Sequence, residues 1–217
     1  MKKVFIAIPS MDQVPVQFCQ SLALLEKEGP TVVGFQVSSL IYTARNTLAL
    51  MAIEHEADYI LWLDSDMVFP SGILKHMLAE IEKLGDDAIL SGAYFRRVAP
   101  FTPVLYDKLE IDPEKGATWA ETTAIPEEIF EVAGCGFGCV LMPTSAVADV
   151  SAKYRDLFSP ILGTGEDLSF CWRARQAGYK IYCDPRMELG HVGHTVITKH
   201  AWHGYSAFKA QEETNNG

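Results

Sequence analysis

No stretch of this chain approaches the roughly 18–20 consecutive apolar residues that a helix needs to cross a bilayer. Basic residues are also scarce: 18 Lys and Arg stand against 28 Asp and Glu, a net charge of −10. Binding a phosphate backbone through counterion release needs clustered Lys and Arg, so this balance argues against general nucleic-acid binding. It leaves open a small anionic ligand held through a metal ion. The five cysteines, at positions 19, 135, 139, 171 and 183, offer one close pair, Cys135 and Cys139, with no second pair or His at ligand spacing. That argues against zinc and leaves buried thiols in a reducing cytosol as the expectation. Internal repeats and low-complexity blocks are missing too. Two lysines before an apolar stretch suggest a signal peptide. Val4 to Ile8, however, is shorter than an h-region of about 7–15 residues and stops at Pro9, so a first strand is expected. With 48% apolar and 21% charged residues over 217 positions, disorder is excluded and one domain is expected.

Strand-like and helix-like segments alternate through the first half. Val4–Ile8 is followed by helical spacing over 15–28, with Val16, Cys19, Leu22, Ala23 and Leu25 as the apolar positions and Gly29-Pro30 as the stop. Thr31–Val37 is β-branched. A helix is expected over 44–56, with Leu48, Met51 and Ala52 on one side. Tyr59–Leu63 (YILWL) is an uninterrupted apolar run, as expected for a strand covered on both faces. Ser71 reads as the N-cap of a helix carrying Ile73, Leu74, Met77, Leu78, Ile81 and Leu84 and closed at Gly85. A short strand at 88–91 follows. This order predicts an α/β domain with a mostly parallel, Rossmann-like sheet flanked by helices.

The alternation stops near residue 93. Residues 94–132 are rich in Pro, Thr and charge, which predicts an irregular or hairpin insertion. Strand character returns at 137–142 and helical character at 166–177. Another strand is expected at 180–183 and a terminal helix over 198–211.

Asp64-Ser65-Asp66 directly follows YILWL. Ligands of open α/β sheets collect at the carboxyl ends of strands. Two carboxylates there repel each other and favour a cation between or beside them, and oxygen ligands suit magnesium or manganese. The plainer alternative is a solvated turn capping the next helix. Gly163-Thr164-Gly165-Glu166-Asp167 opens a later helix. Its Thr164 and Asp167 have capping-box spacing, while the Gly-Thr-Gly lead would let backbone approach a ligand. Gly190-His191-Val192-Gly193-His194 carries two histidines three apart. On a strand that spacing points them to opposite faces, so one of the two is the expected metal ligand. Arg45 and Asn46 stand where a helix is expected to begin, a position suited to phosphate. Arg96 and Arg97 either bind an anion or form a solvated pair. The glycines of Gly134-Cys135-Gly136-Phe137-Gly138 precede a strand, so they are no dinucleotide fingerprint; they suggest backbone packed close against something else.

Together these residues resemble a glycosyltransferase of the GT-A fold, near the large family 2 group and its small bacterial and phage-associated members. The resemblance rests on Ala44-Arg45-Asn46, YILWLDSDM, SGAYFRR, GCGFGCVLMP, GTGEDLSFCWRARQAGYKIYCDP and LGHVG, in that order. It implies a single domain in which residues 1–92 bind the nucleotide-sugar and 93–217 form the acceptor side. Asp66 would ligate a divalent cation, manganese or magnesium, that bridges the donor diphosphate. Asp64 would contact the ribose, or the metal through water. His191 would be the late metal ligand, with His194 in reserve. Asp167 would be the base that takes the acceptor proton if the enzyme inverts, and Glu166 would orient the acceptor or that base. Arg45, Ser65 and Pro9 would lie near the nucleotide.

The partners so implied are a nucleotide-diphosphate sugar donor and a hydroxyl acceptor: a glycan, a protein or a modified nucleobase. The chain is shorter than many family members and lacks their membrane-associated extensions, which argues against polymer synthesis. Some retaining GT-A enzymes share a similar acidic segment and late histidine. Two other readings compete. A sugar-nucleotide pyrophosphorylase or other nucleotidyltransferase would need a Gly-rich basic loop where Pro9-Ser10-Met11-Asp12-Gln13 stands. A catalytically inactive nucleotide-sugar-binding protein would have no need to keep Asp66, Asp167 and His191 together.

Overall fold

The computed structural model describes residues 1–193 and 196–215, and its opening elements follow the alternation expected from sequence. They are β1 (Val4–Ser10), α1 (Val16–Leu24), β2 (Thr31–Val37), α2 (Ile41–Glu54), β3 (Tyr59–Leu63), β4 (Met67–Val68), α3 (Ile73–Leu84) and β5 (Ala88–Gly92). The chain continues through β6 (Leu105–Asp112), β7 (Gly116–Glu121), β8 (Phe130–Val132), β9 (Gly134–Cys135) and β10 (Cys139–Pro143). It closes with α4 (Thr144–Tyr154), α5 (Glu166–Gln176), β11 (Lys180–Asp184), β12 (Gly190–Val192), β13 (Val196–Ile197) and α6 (Lys199–Asn215).

A seven-stranded sheet in the order β2-β1-β3-β10-β5-β11-β8 forms the centre. β1 runs parallel to β2 and β3, and β11 parallel to β5. β10 is wedged antiparallel between β3 and β5, so these two strands are not neighbours as a simple β-α-β succession would make them. β8 adds antiparallel at the edge. Both faces of the central strands are covered, which is why they read as unbroken apolar runs. Phe5, Ala7, Ile60 and Trp62 pack under α2, α4 and α5 with Leu48, Val147 and Phe170. Val4, Ile6, Ile8, Leu61 and Leu63 pack on the other face with Phe18 of α1 and Leu74 and Met77 of α3. Burying one such side chain contributes about 1.5–3 kcal/mol.

Several local expectations are corrected. α1 ends at Leu24, well before Gly29-Pro30, and it buries Phe18 and Ser21 while Val16 and Cys19 are exposed. Ser21 is drawn inward because its Oγ accepts the Phe69 N–H. Ser71 does not cap α3: Gly72 holds that position, and the Ser71 hydroxyl donates to Glu26 instead. α4 occupies a stretch with no expected element. The strand expected at 137–142 forms as β10 in the main sheet, and Gly134–Cys135 just before it pairs as β9 with β6.

Within the insertion, β6 and β7 form an antiparallel hairpin flanked by β9 on the other edge of β6. Before it, residues 96–102 make a narrow loop, closed by the Phe95–Pro103 bridge and by the Arg96 N–H donating to the Thr102 carbonyl. A third small sheet, β13-β12-β4, sets the strand carrying His191 beside the turn that follows β3.

Candidate active site

β1 lies between β2 and β3, and the crevice where β1 and β3 end is the switch point of the sheet, where ligands bind in such folds. Ala7 pairs with Trp62, so Pro9 and Asp64 both stand two residues beyond that pair, at the carboxyl edge. Pro9 is buried within β1. The Asp64-Ser65-Asp66 turn is fixed from three sides. The Asp64 N–H donates to the Gly138 carbonyl, the Met67 N–H donates to the Asp64 carbonyl, and the Val192 N–H donates to the Asp66 carbonyl. Locked this way, the two carboxylates face different partners, and half-buried Ser65 lies between them.

Asp64 faces inward. Its Oδ1 accepts from Arg45 Nη2 at 2.9 Å. The same guanidinium reaches Glu166 Oε1 at 3.5 Å and Asp167 Oδ1 at 3.3 Å. Arg45, expected from sequence at a helix start facing phosphate, is the fifth residue of α2 and is buried. Its guanidinium lies against the Trp62–Phe137 pair, 5.7 and 5.3 Å from their ring centroids. Asn46 is also turned inward, accepting the Phe158 N–H and donating to Asp156.

Three carboxylates around one guanidinium leave excess negative charge. Burial disfavours the charge on Arg45, but Asp64, Asp167 and Glu166 outweigh it and raise its pKa. Burial raises Asp64 above its ordinary value, with Arg45 opposing and Asp66 and Glu166 adding to the rise. Burial likewise pushes Asp167 up to about 8, against the pull of Arg45 and reinforced by Glu166 and Asp64. Among the described residues no hydrogen-bond partner reaches Arg45 Nη1 or Asp167 Oδ1. Asp167 Oδ2 accepts the Phe137 N–H at 3.2 Å.

The expected capping box is not formed. Gly165 is the N-cap of α5 without a side-chain bond, and Thr164 Oγ1 donates to the Ile161 carbonyl. Asp167 also lines a cavity of about 210 Å³, whose walls include Thr164, Gly136, Tyr106, Arg96 and the half-exposed Trp119 of β7.

Asp66 faces the other way, toward His191 of β12. Its Oδ2 lies 3.4 Å from His191 Nε2 and accepts from Arg97 Nη1 at 2.9 Å. His191 Nδ1–H donates to the Phe95 carbonyl at 2.8 Å. That bond fixes a proton on Nδ1 and turns Nε2 toward Asp66, to donate to the carboxylate when the ring is charged or to take a ligand when it is neutral. Burial opposes the charge on Asp66, but His191 and Arg97 hold its pKa below the ordinary value. Among the described residues no three His, Cys, Asp or Glu side chains converge on a metal geometry, and Asp64 is turned to Arg45 rather than to this pair. A carboxylate and an imidazole still fit magnesium or manganese, which are commonly held by one or two protein ligands plus substrate phosphates. His194 lies outside the described residues.

Tyr94 was not singled out from sequence, yet it joins the two groups. It is buried, its ring meets His191 edge-on at 5.4 Å, and its hydroxyl accepts the Gly138 N–H. A Cβ at Gly136 or Gly138 would collide with its ring end, so the glycine run is packed against Tyr94. That run, with the SGAYFRR segment that contains Tyr94, was the signal that could have found it. Arg96 and Arg97 are not a solvated pair: Arg96 donates to Glu121 and Arg97 to Asp66.

No family model and no curated protein matches this chain in sequence. Solved structures do match its shape. A197 from STIV is 19% identical with a TM-score of 0.62, the match covering 89% of this chain and 86% of that one. GalNAc-T7, crystallised with UDP, GalNAc and Mn2+, is 13% identical with a TM-score of 0.60, over 93% of this chain. TarS residues 1–349 of S. aureus are 15% identical with a TM-score of 0.50, over 84% of this chain. The match spans 45% of the GalNAc-T7 chain and 58% of the TarS chain. At these identities the likeness establishes the architecture: a single α/β domain of the GT-A fold.

Proposed function

We propose that this protein is a divalent-cation-dependent glycosyltransferase, moving a sugar from a nucleotide-diphosphate sugar to a hydroxyl acceptor with inversion. The observation that carries this reading is two differently prepared carboxylates linked through the Asp64-Ser65-Asp66 turn and Arg45. Asp66 is kept ionised beside a histidine whose Nε2 faces it, and Asp167 is kept basic at a cavity wall. The crystallisation of GalNAc-T7 with UDP, GalNAc and Mn2+ gives the reading a precedent on this fold.

Asp66 and His191 would hold manganese or magnesium. The ion, when bound, would neutralise charge developing on the diphosphate as it leaves. Asp64, one oxygen held by Arg45, is placed to accept from the ribose, with Ser65 and Pro9 bordering the nucleotide. Residues 1–92 then form the donor side and 93–217 the acceptor side, although β10 and β11 belong to one sheet with the donor strands.

Asp167 would take the proton of the acceptor hydroxyl as that oxygen attacks the anomeric carbon. A carboxylate with a pKa of about 8 matches this task near neutral pH, where an ordinary aspartate would be too weak a base. The Phe137 N–H fixes one Asp167 oxygen and leaves the other beside Arg45. Glu166, on the same guanidinium, orients the base.

The test is a panel of nucleotide-sugars scored for manganese-dependent hydrolysis and for transfer to hydroxyl acceptors. Sugar release with a nucleoside diphosphate as co-product is expected. Pyrophosphate formed from a nucleoside triphosphate and a sugar phosphate would overturn the reading in favour of a nucleotidyltransferase. Donor binding without turnover on any acceptor would favour an inactive binding protein.

A further inference from the structure

Asp66 Oδ2 serves two partners at once, His191 Nε2 and Arg97 Nη1. A divalent ion held by Asp66 and His191 would meet the Arg97 guanidinium on the same oxygen. Two cations sharing one carboxylate oxygen repel strongly, so one must yield.

The protein gives Arg97 room to do so. Its stem passes over Gly193, where an added Cβ would come within 3.2 Å of the Arg97 Cβ. The side chain is about half exposed, at 52%, near the base of the 96–102 loop. The loop base is fixed: Phe95 stacks on Trp202 of α6, Phe101 meets Tyr205 edge-on, and Phe95 bridges to Pro103. A long side chain on a held backbone moves by rotamer change, without refolding the loop. A guanidinium released beside a metal-bound diphosphate would find its preferred planar, bidentate partner there.

We infer that Arg97 is a built-in counter-ion that alternates between two anions. This inference rests on the metal-dependent donor site proposed above. Without metal, Arg97 neutralises Asp66 and keeps the metal pocket closed. When cation and nucleoside diphosphate arrive together, Arg97 transfers to the diphosphate and helps carry its charge. Arg97 therefore competes with the metal alone but cooperates with the metal–diphosphate pair. A merely structural loop residue would not move these two affinities in opposite directions.

The test is calorimetric titration of the full chain with manganese alone, and with UDP or GDP at saturating manganese, for wild type, Arg97→Ala and Arg97→Lys. For Arg97→Ala, manganese alone should bind about threefold to fivefold more tightly, the worth of a partly exposed ion pair. UDP or GDP with manganese should bind about tenfold or more weakly, the worth of a charged phosphate hydrogen bond. Arg97→Lys should fall between, because it keeps the charge and loses the fork. Equal affinities in all three proteins, or a loss of both affinities in Arg97→Ala, would overturn the role of Arg97 while leaving the metal site standing. If wild type binds neither manganese nor UDP or GDP with manganese, the donor-site reading fails and the inference falls with it.

Discussion

Asp167→Asn separates base catalysis from structure. The substitution keeps side-chain size and keeps an oxygen to accept the Phe137 N–H, the one hydrogen bond the carboxylate makes at 3.2 Å. It removes a proton acceptor whose pKa stands at about 8. General base catalysis is worth about 10²–10⁴-fold, equivalent to about 2.7–5.5 kcal/mol of barrier. Transfer should fall by that factor, measured as turnover at saturating donor and acceptor. At pH 5 stability should change by no more than about 1 kcal/mol, which moves the melting temperature of a chain this size by about 2–4 °C.

The pH dependence carries a second signature. Because folding raises the Asp167 pKa, the folded state holds its proton where the unfolded state has lost it. Stability from this group is complete below the ordinary carboxylate pKa near 4 and is lost as pH rises toward 8. The Asn variant should lack that decline, so its stability relative to wild type should improve from pH 5 to pH 8. Wild-type turnover should rise through about pH 8, and residual turnover of the variant should not. Wild-type rates in Asp167→Asn would refute the assignment. Loss of donor binding in that variant would move Asp167 into the donor shell.

Arg45→Met leaves three partly buried carboxylates without their cation, so it should destabilise by about 3 kcal/mol, more at pH 8 than at pH 5, in denaturant unfolding. Equal loss at both pH values would contradict its role as their counter-ion. Gly136→Ala drives a methyl into the Tyr94 hydroxyl and should cost about 1–3 kcal/mol. Adding Tyr94→Phe should recover part of that cost, and purely additive effects would remove the packing explanation. The cysteines are free, four of them buried, so reducing agent should leave the melting curve unchanged; a sharp fall would reveal a disulfide, worth about 2–5 kcal/mol.

Much of the fold could be read where burial is two-sided or the period is clean. YILWL coincides with β3 because both of its faces are covered, and the apolar positions of α3 repeat at helical spacing. The antiparallel placement of β10 could not be read, since an apolar run looks the same in either direction. The buried face of α1 was misjudged because Ser21 is held inside by a partner 48 residues away. In the site, the two aspartates after β3, the acidic pair opening α5 and His191 each carry a local signal; the fold joins Asp64 to the acidic pair through Arg45 and sets Asp66 beside His191. Arg45 carries a signal as well, but one that points to phosphate at a helix start and not to carboxylates. Its partner Glu166 is 121 residues distant, and only the tertiary fold turns a helix arginine into the counter-ion of three carboxylates.

The most direct test of the central claim is calorimetric titration of UDP and GDP into wild type and Asp66→Ala, with manganese and with chelator. The account predicts that one of the two binds wild type only with manganese, and that Asp66→Ala weakens this binding by an order of magnitude or more. Nucleoside diphosphate binding that is indifferent both to chelator and to the loss of Asp66 would contradict it.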